Sequence, residues 1–517
     1  MRVRESSEDL ETSWWLSANA LLAYLAGVNV LLHLFDDPSY GYFRDELYYI
    51  ACSDHLAWGY VDHPPLSIFL LAAERWLFGD SLFAIRLLAV LATAASVVLT
   101  GLLARALGGG RAAQWLAALT YLITGWSLAF GSFYSMNAFD ALLWLVALLI
   151  VARMLRRNDD RQWLAFGIVC GIGLLNKFSI GFLAFGVVVG IALSPSRTLL
   201  WSRWLLIGAA LALLLFLPHI AWQAANGFPT LEFMSNAARL KITAMPPLAF
   251  AAALVTEADP VTLPVWLAGL GYLLLAPSMR TFRALGFAFV AILILFLVQT
   301  AKPYYLAPAF PILLAAGGIA IETLARQTGA WIEKVATAWL VLGGLFAIPA
   351  TLPLLPPATL VRYQHFLGVE IPHEERGAAA ALPQILADRF GWENLVASVA
   401  KVYHSLPDDE RARAGILAGN YGEAGAIDFF GPRFGLPKAI SGHNNYWLWG
   451  PRDATGDVVI VIGATREQLS GVFDRVDLAE TVVSAYAQPS ETDLPIFVAY
   501  GLKRPLNEIW PAVKLFM

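Results

Sequence analysis

The chain has 517 residues, 58% hydrophobic and 14% charged, with a formal net charge of -4. Soluble globular proteins carry about 25% charged residues, so a soluble fold of this composition would expose apolar patches too large for water. The charge balance gives no sign of a nucleic-acid partner, and the apolar excess is that of an integral membrane protein.

Residues 1–13, rich in Ser, Glu and Asp, precede the first apolar run with no small-residue cleavage site after it. That run is expected to stay as a helix, with 1–13 cytoplasmic. A bilayer core about 30 Å thick needs roughly 20 apolar residues per helix. Runs at 14–35, 81–106, 112–131, 138–155, 162–176, 178–193, 204–222, 261–277, 283–300, 303–323 and 332–355 predict about 11 spans. The pair in 162–193 must turn at Asn176-Lys177, and the shorter run at 64–79 suits the interface. Basic residues fall in alternate connections: Arg105 and Arg111, Arg153 to Arg161, Arg197 and Arg203, Arg280 and Arg283, Arg326 and Lys334. The positive-inside rule then places the N-terminus in the cytoplasm and loops 36–80 and 223–260 outside.

Residues 356–517 are more charged, with shorter apolar runs. DVVIVIGA and LPIFVAYGL read as buried strands, and PHEERGAAAALPQILADRF and ENLVASVAKVYHSL as amphipathic helices. GILAGNYGEAGAIDFFG reads as strand, glycine turn and helix. These predict an extracytoplasmic soluble α/β domain after the 14–355 transmembrane domain. Cys52 and Cys170 are not expected to pair.

The first outer loop, 36–80, is the most informative segment. Asp45 and Glu46 stand among Tyr48, Tyr49, Trp58 and Tyr60, read as an interfacial aromatic belt. A carboxylate partly out of water there is a candidate general base; a solvated loop start is the bland reading. In Asp62-His63-Pro64-Pro65, Asp62 is read as capping the next helix. Asp62 and His63 are also a candidate divalent-metal or phosphate pair, although two residues do not complete a metal site. Asp140, inside a span, must face the bundle interior and find a cation. Lys177 is the expected partner, in a pair that is either structural or functional. His219 reads as a satisfied interfacial histidine. Lys302, with Tyr304 and Tyr305, suits a phosphate oxygen, or snorkels from a helix end. Arg239 is either a headgroup ligand or solvated. Acids, cations and aromatics on one face above an apolar bundle suit a lipid substrate with a phosphate head. Neither a P-loop nor a G-x-G-x-x-G motif is present.

Asp45-Glu46, Asp62-His63-Pro64-Pro65, Asp140 and PYYLAPAFP at 303–311 together resemble the C-type (GT-C) glycosyltransferases of the protein O-mannosyltransferase and lipid A aminoarabinose transferase group, in its bacterial branch. The resemblance covers about residues 14–325. It implies a polytopic GT-C fold in the bacterial inner membrane and a polyprenyl-phosphate-linked sugar donor. It implies inverting transfer to an acceptor hydroxyl on a glycan, lipid or protein, with Asp45 as general base. Lys302, with Lys177 or Arg239, would stabilise the leaving phosphate, and Asp140 would orient Lys177 or the acceptor. The aminoarabinose transferases carry Glu-Lys before the two prolines where this chain has Asp62-His63. Three other readings stay open: a transporter, for which no inverted repeat is seen, an envelope scaffold, and a polyprenyl-diphosphate oligosaccharide ligase.

Overall fold

A computed structural model describes residues 14–241, 245–299, 301–368 and 380–517. The predicted segment 1–13 and the start of the PHEERG helix lie outside these residues.

The first part is a helical bundle. Its helices run α1 Ala18–Leu32, α2 Arg44–Ser53, α3 Leu66–Phe78, α4 Leu82–Ala106, α5 Arg111–Ile123, α6 Gly125–Ser132, α7 Met136–Arg157, α8 Gln162–Asn176, α9 Ile180–Ala192 and α10 Arg203–Ala225. They continue as α11 Pro229–Asn236, α12 Pro247–Glu257, α13 Leu263–Leu275, α14 Arg283–Gln299, α15 Pro311–Thr328, α16 Trp331–Thr351 and α17 Pro357–Phe366. Local chemistry sets the starts. Ser81 and Ser135 have extended backbones, and their hydroxyls cap α4 and α7. Asn158, left-handed at φ 49°, closes α7. Close helix crossings fall at small residues. A Cβ on Gly167 of α8 would sit 2.1 Å from the Gly208 carbonyl oxygen of α10.

Each predicted apolar run is helical among the described residues, but they differ in length. Four helices among the described residues, α4, α7, α10 and α16, are long and apolar enough to cross a membrane. The number rises to 6 if each of two bent pairs is one span: α12 with Pro260–Leu275 (95°), and Pro303–Ala309 with α15 (57°). Helices α1, α8, α9 and α14 have 10–17 residues. At 1.5 Å per residue a 15-residue helix rises only about 22 Å. The predicted 112–131 span breaks at Thr124, whose extended backbone ends α5 and whose hydroxyl caps α6.

The polypeptide then forms α18 Gln384–Ala387, α19 Trp392–Ser405, α20 Asp408–Arg411, β1 Ala414–Leu417, α21 Tyr421–Phe430, α22 Asn445–Trp449, β2 Val458–Ile462, α23 Arg466–Ser470, β3 Phe473–Val482, β4 Leu494–Leu502 and α24 Leu506–Ile509. The sheet order is β1-β2-β4-β3. β1 and β2 are parallel in the register Gly415↔Val459, and β4 runs antiparallel to both its neighbours. Every residue of β2 is buried, as its unbroken apolar run requires. The expected strands DVVIVIGA and LPIFVAYGL and the strand–turn–helix at 415–431 are all present. β3 escaped the sequence reading, because FDRVDLAETV is an edge strand with mostly exposed charged positions.

Side-chain contacts show which connections share an end of the bundle. Loop 36–80 packs on α21, and Asn236 after α10 donates to the Phe516 carbonyl (2.9 Å). At another end, Arg105 and Arg111 reach Asn19 and the Leu16 carbonyl, and Glu322 accepts from the Gly110 amide (2.8 Å).

Candidate active site

Successive residues of α2 face different surroundings. Glu46 is fully buried. Its Oε1 accepts from Arg86 Nε (2.8 Å) and the Tyr134 amide (2.7 Å); its Oε2 accepts from the Phe43 amide (2.8 Å) and Arg86 Nη2 (2.9 Å). Burial pushes Glu46 up, but the Arg86 charge and these hydrogen bonds outweigh it and hold the carboxyl below its ordinary value. Arg86 also pairs with Asp36 (2.8 Å), which lies 3.7 Å from the buried Arg389. Burial, with Arg86 beside it, brings Arg389 down to about 10. A carboxylate with its acceptor sites filled is an anchor for the loop. The sequence places the acidic pair partly out of water, and for Glu46 the structure differs, since it is buried.

Asp45 is different. Its side chain is 36% exposed, with Arg44 Nε 3.8 Å away. Tyr421 of α21 donates its hydroxyl to Asp45 Oδ1 at 2.8 Å.

The aromatic residues of this loop are not an interfacial belt. Tyr48, Tyr49 and Tyr60 are buried around His63, with ring centroids 6.1, 4.6 and 4.9 Å from the imidazole; only Trp58 is exposed. Asp62 is not a helix cap either. α3 starts after Pro65 without a side-chain cap, and Asp62 accepts from the Tyr48 hydroxyl (2.9 Å). Burial raises Asp62 above its ordinary value against the opposing effects of His63 and Tyr48. His63 Nε2 is 3.9 Å from Asp62, and Nδ1 lies 3.0 Å from the Pro64 carbonyl. No third His, Cys, Asp or Glu gathers with them among the described residues. Tetrahedral protein sites need more ligands than these two supply, so the pair fits a divalent metal poorly. His219 is satisfied as expected, with Nδ1 3.0 Å from the Trp58 carbonyl.

The second cluster forms where α7, the α8–α9 turn and the segment Pro303–Ala309 meet. Lys177 Nζ donates to Asn137 Oδ1 (2.7 Å) and lies 3.8 Å from Asp140 Oδ2. Its ammonium stands 5.6 Å from the Tyr304 ring and 5.2 Å from that of Tyr305. Ser179 donates to the other oxygen of Asp140. The expected Asp140–Lys177 pair is therefore formed. Lys302, half-buried, opens the same segment two residues before Tyr304. Arg239 is not gathered here; it donates to Asn236 Oδ1 (2.7 Å) in its own turn. Segment 133–137 links the clusters, since the Tyr134 amide binds Glu46 while Asn137 holds Lys177.

Residues 380–517 supply side chains that the sequence reading left without a role. Asn445 Oδ1 accepts from the Val61 amide (2.7 Å) and the Tyr48 hydroxyl (3.2 Å). Arg44 Nη2 is 3.4 Å from Asp388 Oδ2. Behind Arg44, Asn420 Nδ2 donates to Glu423 and to Glu491, each at 3.0 Å. Burial lifts Glu423 to about 7. Burial and the neighbouring Glu423 charge lift Glu491 to about 8. Asn420 and Glu423 lie in the GILAGNYGEAGAIDFFG segment, but nothing in the sequence shows which loop they face.

Comparison with known proteins gives a consistent picture. Residues 62–222 match the family described as dolichyl-phosphate-mannose-protein mannosyltransferase. An undecaprenyl phosphate-alpha-4-amino-4-deoxy-L-arabinose arabinosyl transferase of Yersinia enterocolitica is 33% identical over 123 residues, covering 23% of this chain and 22% of that protein. One from Pseudomonas fluorescens is 31% identical over 122 residues, again 23% and 22%. The chain thus spans about a fifth of the length of these curated relatives. The crystal structure of ArnT from Cupriavidus metallidurans bound to undecaprenyl phosphate superposes with a TM-score of 0.60 at 14% identity, over 94% of this chain and 98% of that one. Its apo state gives 0.59 over 92% and 97%. The chain has the fold of ArnT, and the resemblance drawn from its motifs is borne out.

Proposed function

We propose that this chain is a membrane glycosyltransferase that moves a sugar from a polyprenyl-phosphate carrier to an acceptor hydroxyl, with inversion, at the outer face of the bacterial inner membrane. The reading is supported by the presence, on the ArnT fold, of both a half-exposed Asp45 and the Lys177–Tyr304–Tyr305 cluster. Segment 133–137 joins Glu46, the neighbour of Asp45 in α2, to Lys177.

In the proposed step Asp45 accepts the acceptor's hydroxyl proton while the oxygen forms a bond to the anomeric carbon. The bond from that carbon to the phosphate oxygen breaks, and its electron pair leaves on the lipid phosphate. Lys177 and Lys302 balance that charge and the tyrosines line the headgroup site, a form of electrostatic stabilisation. Asp140 holds Lys177 in place, and Glu46 anchors the loop without touching substrate. Asp62 and His63 shape the loop under Tyr48. The relatives' arabinose-derived donor makes an aminopentose the first sugar to try.

The test is sugar transfer by Asp45→Asn in membranes supplied with labelled polyprenyl-phosphate sugars, at matched expression. Wild type should consume a donor and the variant should lose at least about 100-fold in rate. Equal consumption removes Asp45 as the base, and a wild type inert to the whole donor panel refutes the activity. A periplasmic reporter fused after residue 360 should be active; a silent one reverses the orientation.

A further inference from the structure

The proposed base is held by a residue from the far end of the chain. α21 lies directly on α2 because two of its residues lack side chains. A Cβ on Gly422 would sit 2.5 Å from Arg44 Cγ, and one on Gly425 would sit 2.8 Å from the Leu47 carbonyl carbon. Positions three apart share one helix face, so this face meets α2 at backbone distance. Tyr421, beside it, reaches Asp45. The tyrosine ring has little freedom. It packs 4.7 Å from the Tyr48 ring and 4.7 Å from that of His443, with the Arg44 guanidinium 5.6 Å from its centroid. Burial pushes the Tyr421 phenol well above its ordinary value, so the proton stays on the tyrosine and Asp45 accepts. The other charged or titratable groups around Asp45 are Arg44 at 3.8 Å, backed by Asp388, together with Tyr49 and Asp62.

We propose that Tyr421 is a positioning residue for the transfer reaction. Its hydroxyl fixes one oxygen of Asp45 and so holds the other ready for the acceptor's proton. The C-terminal domain is then part of the catalytic site. A half-exposed carboxylate turning about two side-chain bonds samples several rotamers, and a clamp on one oxygen keeps it in the attacking geometry. The inference rests on the reading of Asp45 as base.

The test compares Tyr421→Phe, Asp45→Asn and the double variant in the full chain, with the labelled polyprenyl-phosphate sugar that wild type consumes. Phenylalanine keeps the ring packing and removes the donor. Tyr421→Phe should lower kcat about tenfold, the scale of a hydrogen bond to a charged group, and leave KM for the donor unchanged. In the Asp45→Asn background it should cost nothing further, because the group it orients is gone. An unchanged kcat in Tyr421→Phe while Asp45→Asn is inactive overturns the inference and leaves the base standing. So does a loss confined to KM, or a full additional loss in the double variant. Wild-type rates in Asp45→Asn overturn both. If Tyr421→Phe does not accumulate, Tyr421→His, which keeps a ring and a donor, is compared with Tyr421→Leu. The histidine variant should be the faster, and the reverse order refutes the positioning role.

Discussion

Glu46→Gln separates an anchoring carboxylate from a catalytic one. Glutamine has nearly the shape of glutamate, so packing is kept while the charge facing Arg86 is lost and an amide NH₂ meets donors that need an acceptor. Glu46 takes four hydrogen bonds, two from Arg86 and two from backbone amides, with no exposed surface. Breaking one partner of a buried pair costs about 3–5 kcal/mol. Arg86 keeps Asp36 at 2.8 Å, which places the expected loss near the lower bound, about 3 kcal/mol. The measurement is thermal unfolding of detergent-solubilised protein, together with kcat per folded molecule. Stability should fall while kcat per folded molecule stays within about threefold of wild type, well under the 100-fold that losing an acid–base group costs. Because Glu46 is held below its ordinary 4.5, its contribution is complete above that pH. It is lost as pH falls through the depressed value, so the variant should show a flatter acid limb of stability. Unchanged stability with abolished turnover would refute the anchoring role and return Glu46 to the catalytic machinery.

Lys177→Met should raise the donor KM at least about tenfold and destabilise the fold, since Asp140 is left without its cation. Adding Asp140→Asn should restore stability but not KM; restoring both would make the pair structural only. Gly425→Leu drives a side chain into the Leu47 backbone. It should cost about 1–3 kcal/mol and depress transfer with helix content by circular dichroism unchanged; wild-type transfer would show that α21 need not touch α2. Glu423 and Glu491 are raised to about 7 and 8, so the stability they contribute is full below the ordinary carboxylate range. It is lost as pH rises through those values. Glu491→Gln should flatten the decline between about pH 5 and 8 expected in wild-type melting, and an unaltered slope would count against a raised Glu491.

Reading by hydropathy worked where lipid or core sets the pattern. The 162–176 and 178–193 runs, turning at Asn176-Lys177, are α8 and α9 to within two residues. The Asp140–Lys177 pair was legible for a related reason: a carboxylate inside a span demands a cation, and few are available. Hydropathy could not see Thr124, because a hydroxyl that ends one helix and caps the next leaves the apolar run unbroken. Nor could it distinguish a tyrosine at the interface from one stacked beneath a domain. Tyr48, Tyr49 and Tyr60 have the composition of a belt and the burial of a core. β3 was missed because its exposed charges hide a strand whose partner is β4. The separate roles of Asp45 and Glu46 were invisible, since neighbouring acids differ only in what other chain segments bring to them.

The sequence separation of 376 between Asp45 and Tyr421 also sets a timetable. At about 5–20 residues per second, roughly 20–75 s of synthesis separate the emergence of the first from that of the second. During that interval the N-terminal helices can insert and the Glu46–Arg86 anchor can form, since both partners are made early. The loop is thus built well before its last contact arrives, and a nascent chain stalled short of α21 would occupy the membrane with its proposed base unclamped. On the proposed reading, full turnover would wait until the final segment docks, which would tie the full rate of sugar transfer to the completion of the polypeptide.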